Sequence, residues 1–422
     1  MADISDISAY VRDLCVQAKR AADSLANAPS HAKNRALQLM AEAIRGQADS
    51  LAEKNRLDLD AARQAGLPSA MIDRLTLTPK RIESMASGID VVRALPDPVG
   101  EVIWGTTRPN GLRILKVRVP LGVIGFIYES RPNVTADAAA LCLKAGNAII
   151  LRGGKEAIHS NIAIASLLAQ AVEKAGLDPG SVLLVETTDR AAVGYMLKAD
   201  EFIDVIIPRG GESLIRRIAE ESSIPVIKHY AGICHTFVHA DADLDMALDI
   251  CLNAKLQRPG VCNAMETLLV DEAAAAAFLP MVLPRLREGG CEIRGDEKIC
   301  AFFPEAVPAR EQDWCTEYLD LVLSVRIVPS LDEAIMHINT YGSSHSDAIV
   351  TQNYAAAMRF VREVDSATVY VNASTRFTDG GEFGMGAEVG ISTDKLHARG
   401  PMGLPELTTY KFIIFGDGQV RT

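Results

Sequence analysis

The sequence has few aromatic residues and no paired cysteines. Phe, Trp and Tyr make up 5% of the chain, so Ala, Val, Ile and Leu must fill its cores. The eight cysteines are scattered and none forms a Cys-x-x-Cys pair, which disfavours both a zinc site and a disulfide framework. We therefore expect no metal site, reduced thiols and a cytoplasmic location.

The chain also lacks an excess of basic charge and a long apolar run. Its formal net charge is −11, whereas a protein that binds the phosphate backbone of nucleic acids needs a basic stripe. The acidic start, Met1 to Asp6, has no signal-peptide core, and no apolar segment approaches the length that spans a bilayer. Nucleic-acid and membrane partners are therefore not expected.

What the sequence does contain begins with helical periodicity. Apolar positions recur every three or four residues over 4–26, 31–65 and 71–95. Polar and apolar residues then alternate from 104 to 119 around Asn110-Gly111, which predicts a β-hairpin. A surface hairpin and an arm that pairs with another subunit both fit this segment.

From residue 123 onwards, short runs of β-branched residues alternate with helical patterns. This alternation predicts βαβ units and parallel sheets. The predicted strands are 123–128, 148–151, 182–186, 202–207, 236–239, 267–270, 322–328, 348–351 and 368–371. The fold class is therefore α/β, with two parallel-sheet, Rossmann-like domains. Residues 410–415 predict a further exposed strand, able to pair with the hairpin arm of a neighbour.

One cysteine is placed differently from the others. Cys262 follows the turn Pro259-Gly260, shortly before the apolar run 267–270. A thiol in a turn is harder to bury and is flanked by backbone N–H groups, so it can attack a carbonyl and stabilise the resulting oxyanion. A loop cysteine without a role is the alternative.

Two turns are candidates for binding phosphate, although no Gly-x-Gly-x-x-Gly follows a predicted strand. Gly210-Gly211 joins a strand to a helix, where paired glycines let a pyrophosphate approach the helix N-terminus. Lys155 follows Gly153-Gly154 at the end of another strand and can reach a ribose or a phosphate. An ordinary tight turn and a solvated lysine are the structural alternatives.

Four segments together resemble the aldehyde dehydrogenase superfamily, and within it the branch that reduces L-glutamyl 5-phosphate. They are residues 128–135, 152–157, 257–263 and 377–393, the last continued by 399–403. The resemblance covers nearly the whole chain. It implies a cofactor-binding domain of residues 1–103 and 119–229, a catalytic domain of 230–404, and an oligomerisation arm of 104–118 and 405–422.

The resemblance also assigns catalytic and substrate roles by position. Cys262 matches the superfamily nucleophile. Asn133 matches the amide that forms the oxyanion hole together with the backbone N–H of the cysteine. Since the substrate carries a carboxylate and a phosphate, arginines are expected to bind it; Arg131, Arg258 and Arg399 are the candidates, and a structural surface role is the alternative for each.

Five residues match positions around a nicotinamide cofactor. Lys155 corresponds to a lysine at the cofactor ribose, and Gly210 and Gly211 to the turn that faces the pyrophosphate. Glu317 corresponds to the carboxylate that holds the nicotinamide ribose, with a helix-start glutamate as the alternative. Ser160 completes the set.

The sequence differs from ordinary aldehyde dehydrogenases at two positions, and these differences bear on the fate of the thioester and on the choice of cofactor. Those enzymes keep a glutamate as the general base for thioester hydrolysis, but Lys228-His229-Tyr230-Ala231-Gly232 has no carboxylate. This absence implies a thioester that exchanges with phosphate rather than water, although His229 could itself act as a base. NAD-preferring members often hold a ribose-chelating glutamate three residues after the lysine, where this chain has Ile158, so NADP is the expected cofactor.

The resemblance therefore implies an NADPH-dependent reduction of L-glutamyl 5-phosphate to L-glutamate 5-semialdehyde through a thioester on Cys262, in proline biosynthesis. A hydrolytic NAD(P)-dependent aldehyde dehydrogenase and a catalytically silent nucleotide-binding scaffold are the alternatives. The expected partners are a second copy of the chain, in a dimer or tetramer, and a glutamate 5-kinase that supplies the acyl phosphate.

The cofactor expectation gives a first testable prediction. NADP should give a higher kcat/KM than NAD in semialdehyde oxidation, because Ile158 offers no carboxylate to repel a 2′-phosphate. Steady-state kinetics with both cofactors on the same preparation measures this ratio. Equal efficiency with NAD and NADP would contradict it.

Overall fold

The structure is a computed structural model that describes residues 6–228 and 230–421. It divides into two compact units. The first contains Met1–Lys228, Gly384–Gly390 and Met402–Thr422, and the second contains His229–Phe383 and Ile391–Pro401. The sequence predicts a change of domain at 229 and 230, but it does not predict that residues 384–390 return to the first unit.

The first unit combines a helical region, an antiparallel hairpin and a parallel sheet. Its elements in chain order are α1 (Ile7–Leu25), α2 (Ser30–Gly46), α3 (Ala48–Gln64), α4 (Ser69–Leu75), α5 (Pro79–Ala94), β1 (Val102–Thr107), β2 (Arg113–Pro120), β3 (Val123–Tyr128), α6 (Asn133–Lys144), β4 (Ala148–Arg152), α7 (Ile158–Lys174), β5 (Val182–Leu184), α8 (Ala191–Met196), β6 (Val205–Arg209) and α9 (Glu212–Glu221).

The N-terminal helices follow the predicted periodicity, with one difference. The segment 31–65 forms two helices rather than one, because α2 ends at Gly46 and α3 begins at Ala48. Glycine costs about 1 kcal/mol relative to alanine inside a helix, so the chain breaks there readily. The buried face of α1 then packs against the parallel sheet.

The parallel sheet of the first unit has four strands in the order β5-β4-β3-β6. The chain therefore runs from β3 to one side through β4 and β5, and returns to the other side of β3 with β6. In open α/β sheets ligands bind where the strand order reverses, outside the carboxyl ends of the strands. The ends of β3 and β6 form such a position.

The second unit is built on a larger parallel sheet. Its elements are β7 (Cys234–Val238), α10 (Leu244–Leu256), β8 (Met265–Asp271), α11 (Glu272–Glu288), β9 (Glu292–Gly295), α12 (Glu297–Phe302), β10 (Val307–Pro308), β11 (Val322–Val328), α13 (Leu331–Tyr341), β12 (Ser346–Val350), α14 (Tyr354–Glu363) and β13 (Thr368–Val371). The strand order is β10-β9-β11-β8-β7-β12-β13. Two parallel sheets in one chain confirm the predicted α/β class.

The last strands are β14 (Gly390–Ser392), β15 (Gly400–Met402) and β16 (Thr408–Phe415). β14 pairs with β15, and β16 pairs along its full length with β2 of the same chain, so the order of the third sheet is β1-β2-β16. The sequence pattern predicts pairing of this strand with a neighbour's hairpin; one edge of β16 is instead occupied by the hairpin of its own chain, and pairing with a neighbour stays a prediction. Its start is held within the chain, because Asn147 Nδ2 donates to the Leu407 carbonyl at 2.8 Å.

The hairpin itself forms as predicted. Its turn contains Asn110 and Gly111, and Gly111 has φ +88°, a conformation that glycine adopts without strain. No helix within residues 6–228 and 230–421 combines the length and the apolar character that crossing a membrane requires.

Candidate active site

Cys262 lies in the turn that leads into β8, at the amino edge of the second sheet. Its side chain is partly exposed, and the turn is closed by a hydrogen bond from the Ala264 N–H to the Val261 carbonyl at 3.0 Å. The segment before β7 lies beside it. A Cβ atom added to Gly232 would stand 1.9 Å from the Cys262 carbonyl oxygen, so only glycine allows this approach.

The carbonyl of Cys262 is held on the same side by a second cysteine. Cys234 Sγ lies 3.2 Å from this oxygen and donates to it. Burial raises the pKa of Cys234 well above its usual value, so this thiol stays protonated and acts as a donor. The backbone of the candidate nucleophile is therefore fixed, while its side chain remains accessible.

Asn263, the next residue, anchors the turn to the segment that follows β13. Its Nδ2 donates to the Thr378 carbonyl at 2.8 Å, and its own carbonyl accepts from Thr375 Oγ1 at 2.7 Å. This brings Arg376 to the turn, where its guanidinium donates to Asn263 Oδ1 and, at 2.9 Å, to Gln257 Oε1.

Arg258 and Arg376 form a pair of like charges beside Cys262. Burial and the neighbouring Arg258 charge lower the pKa of Arg376, while Cys262 acts in the opposite direction. Within the described part of the chain, Arg376 bonds only neutral amide groups through its guanidinium, and Arg258 has no bonded partner. Two adjacent guanidinium groups that bond no carboxylate favour binding of an anion, although the charge of Asp379 also acts on Arg376.

The sequence predicts Arg258 but not Arg376. Arg376 lies 114 positions after Cys262, in the short 3-10 helix Thr375–Phe377, and stands just before the segment 377–393 that carries part of the resemblance. A lone arginine in such a turn has no local pattern that marks it as a site residue, so only the docking of Asn263 onto residues 375–378 identifies it.

Two hydrogen bonds fix the position of the segment that contains Glu317. Its Oε1 accepts from the Gly232 N–H at 2.9 Å, which connects it to the segment that packs on Cys262. Two residues later, Leu319 has φ +53°, and its N–H donates to Glu266 Oε1 at 3.2 Å. Glu266 is fully buried and pairs with the buried Lys255 at 2.7 Å.

The Lys255–Glu266 pair therefore holds the loop that carries Glu317. Burial raises the pKa of Glu266 to about 7, and the charge of Lys255 opposes this rise. A buried ion pair adds little net stability, but removing one partner leaves an unpaired charge in the core. We infer that its main consequence is the fixed conformation of the loop at Leu319.

In the first unit, Gly210 and Gly211 lie at the switch point between β3 and β6. The Gly211 N–H donates to Glu129 Oε2 at 3.0 Å, and a Cβ atom on Gly210 would stand 2.6 Å from the same oxygen. An anionic oxygen therefore already occupies the N-terminus of α9. A phosphate oxygen would have to displace this carboxylate in order to accept from the Gly211 N–H.

Asn133 is the first residue of α6, and its partly exposed side chain donates from Nδ2 to Asp137 Oδ2 at 3.0 Å. The turn before it is held separately. Ser130 has φ +50°, and both its N–H and its hydroxyl donate to Glu156 Oε1 at 2.8 Å. Backbone and side chain of Asn133 are thus fixed by different carboxylates.

The remaining cofactor candidates divide into exposed and buried residues. Lys155 is exposed after β4, whereas Ile158 and Ser160 are buried at the start of α7. The Ser160 hydroxyl donates to Asp58 Oδ2 at 2.6 Å, and Asp58 also accepts from the His159 and Ser160 N–H groups. Ser160 therefore holds the N-terminus of α7 and does not present its hydroxyl at the surface.

The other predicted arginines differ from Arg258. Arg399 is engaged by Asp365, with Nη1 2.9 Å from Oδ1, and Arg131 is partly buried and already has a bonding partner. His229 lies outside the described residues. Among the residues that are described, no group of three or more His, Cys, Asp or Glu side chains is arranged to hold a metal ion.

The sequence of this chain is similar to those of known proteins. The model of the aldehyde dehydrogenase family matches residues 4–290 and 305–412. The chain is 56% identical to a gamma-glutamyl phosphate reductase of Geobacter metallireducens, over 98% of this chain and 99% of the relative.

Solved structures agree with this match. The crystal structure of gamma-glutamyl phosphate reductase from Thermotoga maritima superposes with a TM-score of 0.96 at 48% identity, and the match covers 98% of this chain and 100% of the other. Glyceraldehyde-3-phosphate dehydrogenase from Methanocaldococcus jannaschii, complexed with NADP, shares the fold with a TM-score of 0.69 at 18% identity, over 97% and 95% of the two chains.

The geometry around Cys262 yields a second prediction. Cys262→Ser should abolish turnover without loss of folding, because a serine hydroxyl fits the turn but is a far weaker nucleophile than a thiolate. Activity and thermal unfolding measured on the same sample test both parts.

Two other cysteines serve as matched controls. Cys300 is partly exposed and Cys315 is exposed, and neither contacts the Cys262 turn through any described hydrogen bond. Cys300→Ser and Cys315→Ser should keep full turnover. Loss of activity in either control, with activity retained in Cys262→Ser, would show that the nucleophile is misassigned.

Proposed function

The chain belongs to the aldehyde dehydrogenase family, and we infer that it catalyses the reaction of the gamma-glutamyl phosphate reductases. It reduces L-glutamyl 5-phosphate to L-glutamate 5-semialdehyde and phosphate, in proline biosynthesis. The observation that carries this function is identity to such reductases over nearly the full chain. The accessible thiol in a rigid turn beside two guanidinium groups supplies the matching chemistry.

In the proposed reaction, the Cys262 thiolate attacks the γ-carbonyl carbon of the acyl phosphate. A C–S bond forms, and the electron pair of the carbonyl moves to its oxygen, which the Cys262 N–H and the Asn133 amide are proposed to stabilise. The oxyanion then collapses, the bond from carbon to the phosphate oxygen breaks, and phosphate leaves with that electron pair. The product of this half-reaction is a thioester on Cys262.

A bound reduced nicotinamide would supply a hydride to the thioester carbon. The C–S bond would then break, which returns the Cys262 thiolate and releases the aldehyde. Lys155, Gly210, Gly211 and Glu317 are the residues proposed to hold this cofactor. The Gly211 N–H at the start of α9 can donate to a phosphate oxygen once the Glu129 carboxylate, which accepts from it at 3.0 Å, has moved away.

We propose NADP rather than NAD as the physiological cofactor. The surface near the start of α7 offers the cationic Lys155 and the partly exposed His159. The adjacent carboxylate, Asp58, is buried and engaged by the helix N-terminus, so it is not available to chelate ribose hydroxyls. A 2′-phosphate would meet positive rather than negative charge there.

Substrate binding is proposed to rest first on Arg258 and Arg376. The substrate carries a phosphate and an α-carboxylate, and these two guanidinium groups lie beside the thiol without a carboxylate partner among the described residues. Arg131 is retained as a further candidate. Arg399 would have to leave Asp365 to take part.

A hydrolytic aldehyde dehydrogenase is not favoured. Such an enzyme needs a general base for water, and the segment before Gly232 carries no carboxylate. Glu317 accepts a hydrogen bond from the Gly232 N–H, which engages one of its oxygens. The 56% identity to a gamma-glutamyl phosphate reductase also disfavours a catalytically silent scaffold.

We further propose that the chain forms a homo-oligomer, a dimer or tetramer, through the sheet β1-β2-β16. Tyr410, Phe412 and Ile414 alternate along β16, and all three are exposed, as is Trp104 on β1. Exposed apolar side chains on one sheet face favour an interface.

A glutamate 5-kinase remains a candidate partner of the chain. We also propose a cytoplasmic location, because free thiols such as that of the exposed Cys315 suit this compartment.

The third prediction tests the reaction itself. Oxidation of L-glutamate 5-semialdehyde should require inorganic phosphate and release an acyl phosphate, because the segment Lys228 to Gly232 carries no carboxylate that could act as the general base for water. Cofactor reduction is measured at increasing phosphate, with sulfate at equal ionic strength as the control. Formation of free glutamate at the full rate without phosphate would establish the hydrolytic alternative instead.

The fourth prediction concerns Arg376. Arg376→Gln should raise KM for L-glutamyl 5-phosphate by about tenfold, the effect of losing one charge-assisted hydrogen bond. The control is Arg285→Gln, an exposed arginine on α11 whose loss removes the same charge from the same unit. An unchanged KM in Arg376→Gln would exclude Arg376 from the substrate site.

A further inference from the structure

The carboxylate of Asp137 is partly buried and has no basic side chain as a partner among the described residues. In residues 6–228 and 230–421 it forms no ion pair, and its one hydrogen bond is the one that Asn133 Nδ2 donates to Oδ2 at 3.0 Å. Burying a charge without a partner costs free energy, and such groups concentrate at functional sites. The stability of α6 therefore does not explain why an acid stands at this position.

The packing around Asp137 leaves it no other partner. It lies one helical turn after Asn133 on α6, and its Oδ1 faces Gly88 of α5, where a Cβ atom would stand 3.6 Å away. Burial raises the pKa of Asp137 to about 6, and the hydrogen bond from Asn133 opposes this rise. At neutral pH the group is mainly a carboxylate, which accepts hydrogen bonds and donates none.

A carboxylate at this place selects one of the two orientations of the Asn133 amide. The two orientations have nearly the same shape but exchange the oxygen and the nitrogen. Only the orientation with Nδ2 towards Asp137 gives a hydrogen bond, because the flipped amide would set its carbonyl oxygen against the carboxylate. The second N–H on Nδ2 has no partner among the described residues and is left with a defined direction.

We propose that Asp137 is a positioning residue, which fixes the orientation of the Asn133 amide and leaves its second N–H free for the proposed role as oxyanion donor. This inference rests on the proposed role of Asn133 as the oxyanion donor. The turn that precedes Asn133 is held separately, because Ser130 donates to Glu156. The effect of Asp137 is therefore confined to the orientation of one side chain.

The fifth prediction is a double-mutant cycle on kcat. Asn133→Ala should lower kcat by about 10²–10³-fold, the usual effect of removing one oxyanion donor. Asp137→Asn keeps the shape of the side chain but can form a hydrogen bond with either orientation of the Asn133 amide. Its kcat should therefore fall by about tenfold, which is less than the loss in Asn133→Ala, and KM for L-glutamyl 5-phosphate should change little. In the Asn133→Ala background, Asp137→Asn should have no further effect.

Asp49→Asn is the matched control. Asp49 is an exposed carboxylate in the first turn of α3, so this variant removes a similar helix-terminal charge away from the site. It should leave kcat and KM unchanged. Thermal unfolding and the Kd for NADP are measured on every variant, and Asp137→Ser replaces Asp137→Asn if the latter does not fold.

The outcomes separate the two levels of the inference. Normal kcat in Asn133→Ala overturns both the oxyanion role and the positioning role. A large loss in Asn133→Ala with full kcat in Asp137→Asn overturns only the positioning role. Additive losses in the double variant also overturn it, since a purely structural effect of Asp137 would not depend on the Asn133 amide.

Discussion

The close approach of the Gly232 backbone to the Cys262 carbonyl is the constraint on which the second unit's site depends. A side chain at Gly232 would occupy the space of that carbonyl, and Cys234 donates to the same oxygen. The pairing of β7 with β8 shifts register between Cys234 and His235, next to this contact. The nucleophilic turn is therefore held by backbone packing and leaves the thiol of Cys262 free to react.

Carboxylates also hold the other candidate residues, or the turns beside them, in place. Each of them accepts from a backbone N–H or a side-chain amide and so fixes a conformation; Glu266 also pairs with Lys255. The acceptors and the residues they hold are Glu317 for Gly232, Glu266 for Leu319, Glu129 for Gly211, Glu156 for Ser130, Asp58 for Ser160 and Asp137 for Asn133. A preorganised site of this kind needs little rearrangement when charge develops in the transition state.

The acidic and the basic side chains around the candidate sites differ in whether they are already bonded. The acidic side chains that hold the backbone are engaged by their hydrogen bonds, whereas Arg258 and Arg376 beside Cys262 form no ion pair among the described residues. Asp379 acts on Arg376 through its charge alone. A site that must bind a phosphate and a carboxylate gains from uncompensated positive charge, since the substrate itself supplies the counter-charge. The net acidity of the chain therefore does not conflict with an anionic substrate.

The fold class follows from the sequence alone, because β-branched runs between helical patterns specify parallel sheets through local periodicity. Local patterns also identify Cys262 and the glycine turn as candidates, and the resemblance to the aldehyde dehydrogenase superfamily adds Asn133. The groups that surround these residues are known only from the folded chain. Arg376 meets Asn263, Glu266 meets Leu319 and β16 meets β2 across separations that no local pattern records. The burial of Ser160 and the isolation of Asp137 likewise depend on packing between elements, and packing is a property of the folded chain rather than of any one segment.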